Sequence, residues 1–531
     1  MIPAHLGAGA ALGALLIVVC CIGRVIYNLY FHPLASYPGP LLNRATRLVY
    51  CYRLVTGRLS LDVRDYHERY GPVVRIAPNE LSFACAAAWK DIYGHRIGPH
   101  GTTSELPKNP DFYLLKGQEP GILATNRENH AMLRRQLAHG FSDRGLRAQE
   151  SLIGAYVDLL IQRLRERAVR KPGTDARFVR GQVKDGKDEE MGSDAPLLSG
   201  LAGSDAPAPP RFDMTQWYNW TTFDIIGDLA FGEPFGCLEN ATYHPWVLTV
   251  NNTMLRMASQ NAVKYMGLGW LIPLLLKFVI TSRREHIART DEKLKRRMQL
   301  SFERPDLIEG LLKKKDEMNL SWSRLRTTAS SLIIAGSETT ATLLSGATYL
   351  LCSHPEVLRR VTDEVRSTFA SEQEITLTSV GNLPYMLACL NEAMRRYPPV
   401  PIGTPRVVPA AGMQIAGYDV PEKTVVAVWQ YAAYHSTQNF REPFEYRPER
   451  FLHDPKYEND KIEVLQPFSV GPRNCLGRNL AYSEMRLILA RLLFNFDIEL
   501  ADKNSQWLNQ NAYIIWKKPP LEVYLHPRKV E

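Results

Sequence analysis

No Gly-x-Gly-x-x-Gly turn follows a strand-like run anywhere in the 531 residues, so the chain has no nicotinamide or flavin site of that kind. Zinc-finger spacings are missing too, as are basic runs interleaved with aromatic residues. Nucleic acid is therefore disfavoured as a partner, despite a net charge of +9 from 64 Lys and Arg against 55 Asp and Glu. That surplus suits an anionic membrane or an acidic protein partner. Eight cysteines, at 20, 21, 51, 85, 237, 352, 389 and 475, are scattered with no paired framework, as in a reducing compartment. No linker divides the chain into independent blocks, so one large domain is expected where length alone suggests about three.

Lys and Arg are also absent ahead of residue 24, and this shapes the reading of the N-terminus. Leu6 to Ile22 is uncharged, and apolar character resumes from Val25 to Phe31. About 20 such residues cross a bilayer as a helix. A cleavable signal would have a basic start and a shorter core of about 7–15 apolar residues. Residues 1–31 therefore read as a single-pass transmembrane anchor. Arg24, Arg44, Arg47, Arg53 and Arg58 place its C-terminal side in the cytosol, the endoplasmic reticulum being the expected membrane. Tyr37-Pro38-Gly39-Pro40, within 32–45, makes a stiff hinge. The body is then 46–531.

Along the body, 70–85 alternates and is rich in β-branched residues, which predicts a hairpin. The glycine- and proline-punctuated 94–124 reads as a long loop. A helix is expected over Asn129–Phe141, with His130 and Arg134 on one face. Residues 172–211 are poor in aromatics and rich in Gly, Pro, Ser and charge, a composition that predicts a disordered surface insertion. Near 265–280 an apolar stretch containing Pro273 and Lys277 is a poor second span, and reads as a segment dipping into the membrane surface or as core.

The stretch with most chemistry is Phe468-Ser469-Val470-Gly471-Pro472-Arg473-Asn474-Cys475-Leu476-Gly477. Its cysteine lies between two glycines that allow close approach of something flat, just before a helix expected from about Leu476. The helix start and Arg473 both favour a thiolate. A thiolate on a rigid loop edged by Phe468 is what a haem iron with a cysteine axial ligand needs.

The decapeptide resembles the haem-binding pattern of the cytochrome P-450 family, Phe-x-x-Gly-x-Arg-x-Cys-x-Gly, at every fixed position. That resemblance implies a mostly α-helical fold with small β-sheets (α+β), with Cys475 as the iron ligand. Phe468, Gly471, Arg473 and Gly477 would frame the haem. His130, Arg134 and Arg406 fall where the family places partners of the haem propionates.

Other segments carry the same likeness. Ser321 to about Leu351 is a long helical pattern that tolerates a central glycine and a carboxylate in Ala335-Gly336-Ser337-Glu338-Thr339-Thr340, as a sequence making room for a ligand would. It resembles the family's oxygen-activation motif. On that mapping Thr339 hydrogen-bonds dioxygen, Glu338 feeds protons, and Ala335 and Gly336 leave a hollow, with Ile333 and Ile334 lining a pocket. Leu383–Arg396 holds Glu392 and Arg395 one turn apart, followed by Pro448-Glu449-Arg450-Phe451. In the family the first two bind the arginine of the second, here Arg450, as a buried structural trio. Val400 to Thr404, including Ile402, together with Ile514 and Ile515, are weaker substrate-contact candidates. Trp217 to Asp228 resembles fungal microsomal members that oxidise polyketide or terpenoid intermediates.

The resemblance implies a haem-dependent monooxygenase using O2 on an apolar small molecule. Electrons would come from NADPH through a cytochrome P-450 reductase on the basic face near Cys475, with cytochrome b5 as a second candidate donor. Two alternatives stay open: a haem-thiolate isomerase or dehydratase, which usually lacks the acid–Thr pair, and a non-catalytic haem protein.

Overall fold

The computed structural model describes residues 4–97, 103–114, 119–169, 209–244, 253–275, 277–300, 304, 306–503 and 506–528. The greater part of the 172–211 insertion lies outside them. Within them the architecture is helical with small sheets, as the motifs imply.

The N-terminal helix (α1, Ala4–Ile26) runs on into a wider π turn over Tyr27–Phe31. Ala11–Phe31 is the one stretch among the described residues long and apolar enough to cross a membrane. Its foot is docked, because Asn28 is buried and donates to Ala45 O at 2.8 Å. The hinge is tied down by Arg75, a fully buried arginine whose guanidinium donates to Pro78 O and Leu34 O, and whose N–H donates to Pro38 O.

The predicted hairpin is present as β1 (Val73–Ala77) and β2 (Glu80–Phe83), antiparallel and buried throughout. The long loop 94–124 is broken by a four-residue helix, Pro110–Tyr113. The helix foreseen over Asn129–Phe141 spans Arg127–Ala138 instead (α2), because Asn126 caps it by accepting from Asn129 N at 3.1 Å. A short strand (β3, Arg211–Asp213) leads into α3 (Met214–Phe231), whose side chains are buried nearly all round. Asp213 caps α3 from Thr215 N, and Gly232 in the left-handed region ends it.

Against α3 lies the longest helix, α4 (Trp322–Cys352), capped by Ser321 accepting from Arg324 N at 3.1 Å. Helix α5 (Pro384–Arg396) starts on a proline, with the Glu364 carboxylate accepting from Tyr385 N and Met386 N, both at 2.8 Å. Strands β4 (Arg406–Val407) and β5 (Val425–Val428) complete the first sheet in the order β1-β2-β5-β4, with β2 and β5 parallel. The cysteine loop feeds α6 (Arg478–Asn495), and β6 (Phe496–Leu500) and β7 (Glu522–Pro527) join β3 in a second sheet, order β6-β7-β3. One large apolar core links α3, α4, α5 and α6, and two smaller ones pack on opposite faces of the first sheet.

The 265–280 segment lies at the surface where it is described: Trp270 is 70% and Leu274 77% exposed. Beside it is a second exposed apolar group, Leu41, Leu42, Leu48 and Tyr52. The two are joined by Arg47 and Tyr50, which both pack on Tyr265, and by Cys51 Sγ against Ala262 O.

Candidate functional site

Four segments far apart in sequence meet around the cysteine loop. The loop is folded on itself by Cys475 N donating to Phe468 O at 2.8 Å, while the Phe468 ring packs against Tyr482 of α6. Gly471 has φ +74°, and a Cβ there would fall 2.0 Å from Tyr93 O. Its glycine is therefore demanded by the protein's own backbone, not by an approaching ligand as the sequence reading supposed. Gly477 differs. Its φ is −85°, and a Cβ would meet only Phe141 at an ordinary 3.6 Å, so the chain itself does not require glycine there.

Helix α6 begins at Arg478, later than expected from Leu476, so Cys475 is three residues ahead of it. This changes its electrostatics. Burial raises the thiol above its ordinary range, and the Gly477 N–H, Arg134 and Arg478 only partly offset that. The expected thiolate bias is thus outweighed in the protein alone. Cys475 is nevertheless exposed, although many protein atoms surround it. Both statements hold for a sulfur on the floor of an internal hollow. The same signature appears on α4, where Ala335 is exposed in a helix whose neighbouring turns are buried.

Cations gather at one edge of the loop. Arg473 grips Glu105 through Nε at 2.9 Å and Nη2 at 2.6 Å. Arg406, on β4, is 5% exposed and lies over the Tyr93 ring. Its Nε and Nη1, and Nη1 of Arg473, are buried with no partner among the described residues. Lys108, bridged to the Arg406 backbone, is held well below its usual range by burial and then by Arg406 and Arg473. On α2, buried His130 is taken down to about 3 by burial, then by Arg473, Lys108 and Arg134. Burial raises the Glu105 carboxyl, but Arg473 more than offsets it, leaving that group below the usual carboxylate range. One carboxylate thus serves several cations. Arg134, close enough to act on both His130 and Cys475, donates to Asn474 O at 2.7 Å and to Asn474 Oδ1 at 2.5 Å.

Sequence reasoning missed Glu105 and Lys108. Both lie in the loop read as functional, but nothing local marks them.

On α4, Thr339 Oγ1 donates back to Ala335 O at 2.7 Å. Glu338 points elsewhere, being buried and paired with Lys518 at 2.9 Å. Gly336 does not open the hollow, as had been expected. The space its Cβ would take holds Ile226 of α3, 2.7 Å away, so this glycine serves helix packing. Ile333 likewise turns into the main core, fully buried, whereas Val400, Ile402 and Ile514 belong to another apolar cluster and Ile334 packs against both. Thr340 reaches across to buried Glu484 on α6, which burial pushes up to about 8.

Behind the loop, Glu392, Arg395 and Arg450 meet with no side-chain exposure. Arg395 Nε is 2.7 Å from Glu392 Oε2, and Arg450 Nε is 3.3 Å from Glu392 Oε1. Asp460, on Arg450 Nη1, is a fourth member that the sequence did not reveal. The group leads to the cysteine in short steps. Arg395 Nη1 donates to Tyr434 O at 2.8 Å, and Tyr434 Oη accepts from Gln466 N at 3.0 Å, two residues before Phe468.

The Cytochrome P-450 family model matches residues 200–525. A cytochrome P-450 monooxygenase, tpeC, of Talaromyces stipitatus is 48% identical over 98% of this chain and 95% of its own. Averantin hydroxylase of Dothistroma septosporum is 42% identical, covering 98% and 92%. Trichothecene C-15 hydroxylase of Fusarium sporotrichioides is 39% identical over 98% of both chains.

Proposed function

Because the chain belongs to the cytochrome P-450 family of haem-thiolate monooxygenases, we propose that it hydroxylates or otherwise oxidises an apolar small molecule with O2 and electrons from an NADPH-dependent reductase. In the balanced reaction a substrate C–H, O2, NADPH and a proton give the C–OH product, water and NADP+. Polyketide- or terpenoid-like compounds are the proposed substrate class, in keeping with the averantin and trichothecene hydroxylases among its relatives.

The carrying observation is the accessible Cys475 on a loop edged by buried guanidinium nitrogens that have no partner among the described residues. A flat metallo-macrocycle with two carboxylates fits that donor set. Its carboxylates would take the free nitrogens of Arg406 and Arg473, with Lys108 and His130 close by. Its metal would take the sulfur, which coordination deprotonates despite the burial. Gly477, where the chain needs no glycine of its own, would admit the ring plane beside the loop. Haem, when bound, supplies the oxidising centre.

The protein's own groups do the rest. Thr339 offers a hydroxyl to dioxygen, Glu338 supplies protons, and Ile334, Val400, Ile402 and Ile514 exclude water around the substrate. The exposed side chains of Trp270 and Leu274, and of Leu41, Leu42, Leu48 and Tyr52, would lie in the interface of the endoplasmic reticulum membrane with the body in the cytosol.

The test is spectroscopic. Haem-loaded protein, reduced and exposed to carbon monoxide, should show the band of sulfur-ligated iron, and Cys475→Ala should lose it together with turnover. Turnover that needs no NADPH or O2 would favour an isomerase or dehydratase instead.

A further inference from the structure

Glu338 is held by a lysine that no sequence pattern singled out. Lys518 Nζ donates to Glu338 Oε2 at 2.9 Å and to Thr342 Oγ1 at 2.8 Å. The two side chains of the ion pair are only 4% and 6% exposed. The other carboxylate oxygen, Oε1, is buried with no partner among the described residues. Tyr243 is the further titratable group beside the carboxylate, and its phenol is pushed up mainly by burial.

Geometry separates this acid from the hydroxyl it is proposed to serve. Neighbouring helix residues diverge by about 100° and do not face each other. Thr339 accordingly shares a face with exposed Ala335, and Glu338 shares one with Thr342. The arm that brings the lysine is rigid on both sides. Two residues before it, Trp516 stacks on Tyr397 (5.1 Å, 17°) and donates from Nε1 to Pro398 O at 2.7 Å. One residue after it, Pro519 O accepts from Thr215 Oγ1 and Trp507 Nε1.

A relay acid must exist in two forms, loaded with its proton and empty. The empty form is an anion, and an unpaired anion at a buried position is costly. We infer that Lys518 is the positioning residue for Glu338. It fixes the carboxylate on the face of α4 away from Ala335 and stabilises the anion left when a proton has been given up. This rests on the oxygen-side reading of Glu338 and Thr339 given above.

The experiment needs no organic substrate. Full-length, haem-loaded protein with a P-450 reductase and NADPH divides O2 between two products. Peroxide forms when O2, one NADPH and one proton give H2O2 and NADP+. Water forms when O2, two NADPH and two protons give two H2O and two NADP+. Breaking the O–O bond to reach water requires a delivered proton, so the NADPH-to-peroxide stoichiometry reports the relay.

K518M should raise the peroxide-to-water ratio about tenfold or more. K518R, which keeps the cation, should stay within about twofold of the parent. E338Q should match K518M, and the double variant should add nothing, because the lysine acts only through the glutamate. Thermal unfolding gives an independent readout: K518M should unfold at lower temperature than E338Q/K518M, having kept a buried carboxylate without its partner. If K518M does not take up haem, K518Q carries the same expectations.

A parental ratio in K518M while E338Q shifts it would overturn the proposal, as would effects that multiply in the double variant. A parental ratio in E338Q, with the unfolding coupling intact, would show that the oxygen-side reading has failed. Lys518–Glu338 would then be a structural pair and the inference would fall with it.

Discussion

Replacing Glu392 with glutamine keeps its shape and removes one negative charge from a group of four buried charges. Glu392 and Asp460 balance Arg395 and Arg450, and none of these side chains is more than 2% exposed. Glu392 Oε2 accepts from Arg395 Nε at 2.7 Å; Oε1 accepts from Arg395 Nη2 at 2.8 Å, Arg447 N at 2.9 Å and Arg450 Nε at 3.3 Å. An amide nitrogen in place of either oxygen faces an N–H donor, so at least one charge-assisted bond is lost whichever way the glutamine turns. One guanidinium is left uncompensated. Breaking a buried pair in this way costs about 3–5 kcal/mol, a large part of the roughly 5–15 kcal/mol that holds a typical domain together. The matched control is Glu317→Gln, whose partner Lys314 lies at a similar 2.8 Å but with both side chains about half exposed or more; it should cost less than about 1 kcal/mol. The assay is urea unfolding of the haem-loaded protein, followed by the carbon monoxide band of sulfur-ligated iron, since Tyr434 and Gln466 connect this group to the cysteine loop. E392Q should lower the midpoint far more than E317Q and lose the band before the helices unfold. Equal midpoints for the two variants would refute the account of the cluster as structural support.

Three further outcomes are expected. Gly471→Ala should prevent stable haem incorporation, because its Cβ would need the space of Tyr93 O and the backbone sits at φ +74°; haem-to-protein absorbance ratio measures it. Removing residues 1–31 should leave the body partly bound to anionic vesicles in a flotation assay. Adding Trp270→Ser and Leu274→Ser should release it, since both side chains are more than two-thirds exposed. Glu484, raised to about 8 by burial, takes up its proton more readily folded than unfolded, so its contribution to stability is full below about 4.5 and is lost as pH rises through 8; Glu484→Gln should flatten the fall in unfolding temperature between pH 6 and 9, and an unchanged slope would count against the assignment.

What could be read from the sequence follows the range of the forces involved. The hairpin at 73–83, the long helix from about Ser321 and the helix ending at Arg396 each depend on residues within a few positions, and each was legible. The trio of Glu392, Arg395 and Arg450 was found only through its resemblance to a known pattern, since Glu356 and Arg359 have the same spacing with no such company. Asp460 joins that trio without any pattern of its own. Glu105 and Lys518 escaped for the same reason: each meets its partner across more than 150 residues of chain, and a lone charged residue near a proline gives no local sign of burial. The glycines show the complementary error. Gly336 and Gly471 were both credited to a ligand, yet one makes room for Ile226 and the other for Tyr93 O, whereas Gly477 meets no close neighbour in the chain. A glycine in a motif says that something comes close; only the fold says whether that something is the protein itself. By the same test the nitrogens of Arg406 and Arg473 that lack a partner among the described residues carry more weight than any motif glycine, because a buried polar group is kept where something completes its hydrogen bonds.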